Sequence, residues 1–270
     1  MNFDFSCPVC GCGLTRAERT LKCENGHCFD LAKQGYVNLL QSQKSSAKRH
    51  GDDKLMVRSR FDFLNKGYYG RLAEIIVSKI SSFAFPGMKL ADLGCGECYY
   101  TSIIADSFPE ITVGGIDISK EALITGSKRN RNISLAVAST FALPISDEFC
   151  DAVVSVFAPY STDEVFRVLR KGGHFVRVYP LEKHLMGLKS LIYEKPYLNE
   201  VDLSVPEGFK ISDRDELKYD IHIDSNEDIF SLFTMTPYYY KTGRSDQEKL
   251  KKTNFLNSEI EFGIDVLQKI

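Results

Sequence analysis

Apolar and polar residues alternate along the middle of the chain in two patterns, short apolar runs and longer amphipathic stretches. The apolar runs predict buried strands, and the amphipathic stretches, with apolar residues every three or four positions, predict helices. Strands are predicted for a run that ends at Asp92 and for residues 112–116, 133–138, 151–157 and 174–179; helices are predicted for residues 56–69, 71–83, 100–108 and 161–169, and from Ser119 as a cap. This alternation predicts a mostly parallel sheet covered on both faces, with ligands at the carboxyl ends of its strands.

The last third of the chain has a different pattern. Residues 209–223 and 260–266 read as strands, separated by a helix near residues 228–233. Two strands joined in this way are predicted to close the sheet as an antiparallel pair.

The strand that ends at Asp92 leads into two closely spaced glycines, Gly94 and Gly96. Glycine permits a sharp turn and lets a ligand approach the bare N–H groups of a helix N-terminus. A dinucleotide site would place a third glycine where this chain has Tyr99, and no P-loop ending follows. The Asp-x-Gly-x-Gly pattern instead resembles the first motif of S-adenosylmethionine-dependent methyltransferases. Asp117 ends the next strand 25 residues after Asp92, close to the ~20-residue offset at which an acid meets ribose hydroxyls.

These features predict an α/β fold with a Rossmann-like methyltransferase domain, a mostly parallel sheet with an antiparallel closing strand, and a small N-terminal zinc-binding module. Ser139 follows the third predicted strand, where methyltransferases hold the adenine. The predicted division is residues 1–40 for the zinc module, 41–70 for a basic linker and helix, and 71–270 for the methyltransferase domain.

The zinc prediction rests on two cysteine-containing turns near the N-terminus. Cys7 and Cys10 lie on one turn, and Cys23 and His27 lie on a second after twelve intervening residues. Four such ligands suit a tetrahedral structural zinc with no open coordination position. Because so short a segment buries little apolar surface, metal binding would supply its folding energy. His27 is the preferred fourth ligand, with Cys28 as the alternative.

Charge and composition narrow the functional classes. The net charge of −2 does not by itself indicate nucleic-acid binding, but six of the eleven Lys/Arg residues in positions 1–70 lie between Lys44 and Arg60. This basic stretch is either a footprint for a phosphate backbone or a solvated linker. No apolar run reaches the ~20 residues needed to cross a bilayer, and no signal-peptide pattern opens the chain. A cytoplasmic, membrane-free protein is therefore expected.

Several longer sequence motifs resemble those of one family, the RlmA-type 23S rRNA guanine-N1 methyltransferases. They comprise the zinc turns with residues 27–39, then 51–52, 60, 63–64 and 67–69, then 92–97 with 99–100, and finally 158–159, 184–186 with 188–189, and 235–237. The resemblance implies methyl transfer from S-adenosylmethionine to N1 of a guanine in a hairpin of 23S rRNA. It also implies a zinc module that helps to bind RNA and a possible homodimer, and it leaves open which of two neighbouring guanines is the target.

The resemblance also implies functions for particular residues. Cys7, Cys10, Cys23 and His27 are the zinc ligands; Tyr69, Gly96, Glu97 and His184 contact the cofactor, together with Asp92, Gly94, Asp117 and Ser139 from the general methyltransferase pattern. One departure is Cys98, where the family usually has glycine, since cysteine adopts a positive φ less readily.

The acceptor site is predicted at the end of the strand over residues 151–157. Guanine N1 lies within the Watson–Crick face and carries a proton, so the base must be unpaired or extruded before transfer. Phe157, Pro159 and Tyr160 are the candidate target-base contacts, with core packing as the alternative for both aromatic residues. A packing function is favoured for Tyr238, Tyr239 and Tyr240, with stacking on RNA as the alternative.

Two other functions remain open from the sequence. One is methylation of a small molecule, which would leave the zinc module and the basic stretch without a function. The other is a zinc-dependent RNA-binding protein whose methyltransferase fold is inactive. The sequence feature that indicates this alternative is Cys98, which replaces the family's usual glycine.

Overall fold

The structure is a computed structural model that describes residues 3–41 and 51–270. Three of the six basic residues of the stretch from Lys44 to Arg60, namely Lys44, Lys48 and Arg49, lie outside the described residues. The N-terminal strands are β1 (Thr15–Ala17), β2 (Thr20–Lys22), β3 (Cys28–Asp30) and β4 (Val37–Asn38). The central elements are α1 (Lys54–Asn65), α2 (Gly70–Ser81), β5 (Lys89–Leu93), α3 (Tyr99–Ser107), β6 (Thr112–Asp117), α4 (Lys120–Gly126), β7 (Ser134–Val137), β8 (Cys150–Val156) and α5 (Thr162–Val168). The C-terminal elements are β9 (Leu169–Pro180), α6 (Met186–Ile192), β10 (Phe209–Ile223), α7 (Asn226–Thr234), α8 (Tyr238–Lys241), α9 (Arg244–Lys251) and β11 (Leu256–Lys269).

The central sheet has the strand order β10-β11-β9-β8-β5-β6-β7-β4. Strands β4 through β9 pair in parallel, whereas β11 is antiparallel to both β9 and β10. The predicted α/β class and the antiparallel closing pair are therefore confirmed. The apolar runs of β5 and β8 are buried because helices cover both faces of the sheet, as expected for parallel strands.

The N-terminal segment forms a small antiparallel sheet, β1-β2-β3, and then joins the central sheet. Val37 pairs with Ala136, which adds β4 to the edge at β7. The backbone N–H of Phe3 donates to Ser134 Oγ at 3.0 Å, and the N–H of Ser6 donates to the Pro144 carbonyl at 2.8 Å. The cysteine-rich segment is thus packed against the β7 side of the sheet.

Helix starts follow the expected capping chemistry. Ser119 Oγ accepts the N–H of Ala122 at the start of α4, as the sequence predicted, and Ser161 caps α5 in the same way. Asp53 accepts two N–H groups at the start of α1, which packs against α7. These contacts place α1 and α7 beside the carboxyl ends of the central strands.

None of the helices within residues 3–41 and 51–270 combines the length and the apolar character needed to cross a bilayer.

Candidate functional site

The glycine turn follows β5 at the centre of the sheet. Gly94 and Gly96 have φ values of 71° and 55°, in the left-handed region that favours glycine. A Cβ at position 94 would lie 2.1 Å from the Cβ of Ala158, which follows β8. The close approach of these two strand ends therefore also requires glycine at position 94. The Gly94 N–H donates to the Ile116 carbonyl at 2.8 Å, which ties the turn to β6.

Cys98 is the N-cap of α3 and has a φ of 63°, so a cysteine occupies a conformation that favours glycine. Its side chain is fully buried, with Sγ 3.9 Å from Cys95 Sγ. A Cβ on Gly126 would lie 2.5 Å from Cys98 Sγ. The thiol therefore fills space that a glycine in α4 leaves open.

Two carboxylates flank the turn. Thr101 Oγ1 donates to Asp92 Oδ2 at 2.6 Å, and burial raises the pKa of Asp92 to about 7. Asp117 accepts the N–H of Gly96 at 2.8 Å and that of Ser119 at 2.7 Å. Burial raises the pKa of Asp117, while these two N–H donors act in the opposite direction. Asp117 thus fixes the turn from the neighbouring strand.

Glu97 is buried beside the turn and forms an ion pair with Arg129. Burial raises the pKa of Glu97, against the lowering effect of the Arg129 guanidinium. One Glu97 oxygen, Oε1, has no hydrogen-bond partner within the described part of the chain, and the same holds for the buried hydroxyls of Tyr69 and Tyr100. All three side chains line the same cavity, which therefore offers two hydrogen-bond donors and one acceptor to a ligand.

The cavity has a volume of about 870 Å³, within the usual range for small-molecule sites. It brings together the predicted site residues Tyr69, Asp92, Gly94, Gly96, Glu97, Asp117, Ser139, Phe157, Pro159 and His184. Tyr160 is not among its lining residues, and its ring packs edge-on against Phe175 at 5.0 Å. Of the tyrosines at 238–240, Tyr238 lines the cavity and Tyr239 packs against Phe233 at 5.6 Å.

Phe157 stands at the mouth of the cavity after β8. It has a φ of 58° and is 42% exposed, an uncommon backbone conformation for a bulky residue. Its ring is stacked towards His184, with 6.4 Å between centroids and 17° between planes. The strained backbone presents an aromatic face to the open space.

His184 is held in one tautomer. Its Nδ1 accepts the N–H of Glu261 at 3.3 Å, so the proton of the neutral ring is on Nε2. Burial lowers the pKa of His184 to about 3, and the positive charge of Lys189 contributes to the lowering. His184 is therefore a neutral hydrogen-bond donor at ordinary pH.

The two cysteine-containing turns meet in the N-terminal segment. Cys7, Cys10, Cys23 and His27 place their ligand atoms within 4.8 Å of one another. His27 Nδ1 lies 3.6 Å from Cys7 Sγ and 3.3 Å from Cys23 Sγ, and the sulfurs of Cys10 and Cys23 are 3.7 Å apart. These are the edge lengths of a tetrahedron with zinc bonds of about 2.0–2.3 Å. The arrangement fits a structural zinc.

Two further cysteines lie outside that cluster. Cys28 is exposed, with its Sγ 3.4 Å from the Gly26 carbonyl, and Cys12 accepts the amide of Asn25. The folded chain thus brings His27, not Cys28, to the other three ligands.

Comparisons with known proteins identify both parts of the chain. A family model described as RlmA, N-terminal, a zinc ribbon, matches residues 5–48, and a methyltransferase domain model matches residues 91–177. A protein of Micromonospora griseorubida provisionally named a 23S rRNA (guanine-N(1)-)-methyltransferase is 32% identical over 202 residues, 67% of each chain. The chain belongs to the RlmA-type 23S rRNA (guanine-N1)-methyltransferase family.

Two other relatives support this membership. The 23S rRNA (guanine(748)-N(1))-methyltransferase of Streptomyces fradiae is 35% identical over 185 residues, 67% of this chain and 65% of that protein. A Bacillus subtilis (strain 168) protein, also provisionally named a 23S rRNA (guanine-N(1)-)-methyltransferase, is 28% identical over 275 residues, 97% of this chain and 95% of that protein. The likeness therefore extends over nearly the whole RlmA-type chain.

Sequence reasoning missed several residues at this RlmA-type site. Tyr100 and Arg129 were not predicted as site residues, and residues 197–200 had no motif, yet Tyr100 and residues 197–200 line the cavity. Arg129 follows α4 and reaches Glu97 because the end of α4 lies against the glycine turn, where a Cβ on Gly126 would be 3.1 Å from the Glu97 carbonyl carbon. The sequence signal for Tyr100 was its place in the family motif at residues 99–100; Arg129 and residues 197–200 had none.

Proposed function

We propose that this protein transfers a methyl group from S-adenosylmethionine to N1 of a guanine in a hairpin of 23S rRNA. The observation that carries the proposal is a set of buried atoms with no hydrogen-bond partner among the described residues, Tyr69 Oη, Tyr100 Oη and Glu97 Oε1, in the cavity beside the Gly94–Gly96 turn. Two donors and one acceptor complement a carboxylate and an ammonium group, the two charged groups of the methionine part of the cofactor.

The remaining cavity residues complete the cofactor site. Asp117 presents its carboxylate at the end of β6, where it accepts hydrogen bonds from the ribose hydroxyls, and Ser139 borders the adenine. Gly94 and Gly96 let the ligand lie against the backbone, and His184 donates from Nε2. Bound S-adenosylmethionine supplies an electrophilic methyl group on a sulfonium, which needs alignment and exclusion of water more than further activation.

The acceptor guanine enters from the side of Phe157. Phe157 offers an aromatic face on which the guanine stacks, and Pro159 offers a second apolar contact. Tyr160 packs against Phe175, so its function in this proposal is structural. His184 does not accept the N1 proton, because its Nδ1 already accepts the Glu261 N–H and burial keeps the ring neutral.

The N-terminal module and the basic stretch contact the RNA. The zinc cluster fixes a small sheet against β7, and Lys54, Arg58 and Arg60 are the described basic residues of the stretch from Lys44 to Arg60. Neutralising several of these bases is predicted to weaken RNA binding and to flatten its salt dependence. A homodimer and a cytoplasmic location complete the proposal.

Purified protein, labelled S-adenosylmethionine and unmodified 23S rRNA test this function directly. Label on the rRNA, with a primer-extension stop at one hairpin guanine, is the expected result. Label on small molecules alone would favour the small-molecule alternative, and cofactor binding without any transfer would favour an inactive RNA-binding protein.

A further inference from the structure

Lys189 is an unusual buried charge beside the cavity. It lies on α6 with no exposed surface, and no carboxylate forms an ion pair with it within residues 3–41 and 51–270. Burial lowers the pKa of Lys189. A buried ammonium without an anionic partner costs stability, so a local function has to account for it.

The ammonium is bound instead by neutral groups of one loop. Nζ donates to the Tyr197 carbonyl at 2.9 Å and to Asn199 Oδ1 at 2.6 Å. It also lies 4.7 Å from the ring centroid of Tyr197 and 5.7 Å from that of Tyr238. Residues 193–208, between α6 and β10, contain no helix or strand, so few backbone hydrogen bonds fix this loop.

Asn199 passes the constraint on to the turn that carries His184. Its Nδ2 donates to the Leu181 carbonyl at 2.8 Å and to the His184 carbonyl at 3.4 Å. The Asn199 N–H also donates to the Glu182 carbonyl at 2.9 Å. Residues 197–200 and His184 therefore form one continuous side of the cavity.

We propose that Lys189 is a positioning residue for cofactor binding, which acts through Asn199 to hold residues 197–200 and His184 around the cavity. The proposal rests on the proposed function, because it takes the ligand of this cavity to be S-adenosylmethionine. Lys189 does not touch the ligand; its charge orders the loop that does.

The test uses the full-length variants Lys189→Met, Asn199→Leu and the double variant, with Lys195→Met as a matched control. Lys195 is an exposed lysine in the same loop and is not a lining residue. Affinity for S-adenosylmethionine is measured by isothermal titration calorimetry, and folding by the thermal midpoint. The first two variants are expected to bind about 10- to 100-fold more weakly, since small misplacements of site groups have effects of this size.

The thermal midpoint separates positioning from a merely structural function. Lys189→Met removes an unpaired buried charge, so its midpoint is expected to stay within about 4 °C of wild type while affinity falls. The double variant is expected to lose no more affinity than the weaker-binding single variant, because both changes break one link.

Three results would overturn the inference: wild-type affinity in Lys189→Met, losses that multiply in the double variant, or an equal loss in Lys195→Met. Because the readout is cofactor binding, a wild-type protein that binds S-adenosylmethionine but methylates no rRNA would refute the proposed function and leave this inference standing. A wild-type protein that binds no S-adenosylmethionine would refute both.

Discussion

Cys98 and Gly126 are predicted to be energetically coupled. Cys98→Gly removes the left-handed Cβ penalty of about 1–2 kcal/mol. It also forfeits a buried thiol and adds freedom to the unfolded chain, which together cost a similar amount. The net change in the free energy of unfolding is therefore expected to be within about 1 kcal/mol of zero.

Gly126→Ala has the opposite character, because its cost depends on what occupies position 98. The new Cβ would lie 2.5 Å from Cys98 Sγ and 3.1 Å from Cys98 Cβ. Such overpacking costs about 1–3 kcal/mol, only partly offset by the better helix propensity of alanine. In the Cys98→Gly background both contacts disappear, and the same alanine is expected to be neutral or stabilising. The next nearest atom, the Glu97 carbonyl carbon at 3.1 Å, requires only a small shift.

Urea unfolding of wild type, both single variants and the double variant measures this coupling. The expected coupling is about 1–2 kcal/mol, with unchanged m-values as the sign that the two-state comparison holds. Equal costs of Gly126→Ala in the two backgrounds would refute the packing argument and leave the positive φ of Cys98 without a compensating contact.

Two further predictions concern the metal cluster and His184. His27→Ala is expected to lose bound zinc and to unfold the N-terminal segment, whereas Cys28→Ser is expected to keep one zinc per chain because Cys28 is outside the cluster. Metal analysis after dialysis measures the zinc content, and circular dichroism measures the folding. Equal zinc loss in the two variants would contradict the assignment of His27. The second prediction follows from the lowered pKa of His184, about 3 against 6.5 in an unperturbed histidine. As pH falls below 6.5 the unfolded state binds the proton first, so wild type should lose up to about 1.4 kcal/mol of stability per pH unit relative to His184→Asn, which cannot titrate. Urea unfolding at pH 7, 6, 5 and 4 tests this, and parallel stability curves for the two proteins would exclude a buried neutral His184.

The sequence by itself determined the central strands and helices and their order, but it did not predict β1–β4, α8 or α9. Periodicity located the central strands and helices because burial on one or both faces leaves a direct trace in residue order, as in β5, β8 and the β10–β11 pair. The Asp92–Gly96 turn and the cysteine spacing were also visible, since each is a local geometry that needs particular residues in a short span. The resemblance then supplied Tyr69, which the residue pattern alone would have placed in the core, and His184, which it would have made a surface or helix-capping histidine.

Only the tertiary structure decided which distant groups meet. The pairing of Glu97 with Arg129, the unpartnered hydroxyl of Tyr100 and the Lys189–Asn199 link depend on how helices pack across the sheet, which no local pattern records. The approach of His27 to the three cysteine sulfurs and the packing of Tyr160 against Phe175 depend on tertiary packing in the same way. The glycine turn shows both contributions: its sequence determined where the chain bends, and the packing of Cys98 beside Gly126 decided how a cysteine is accommodated there.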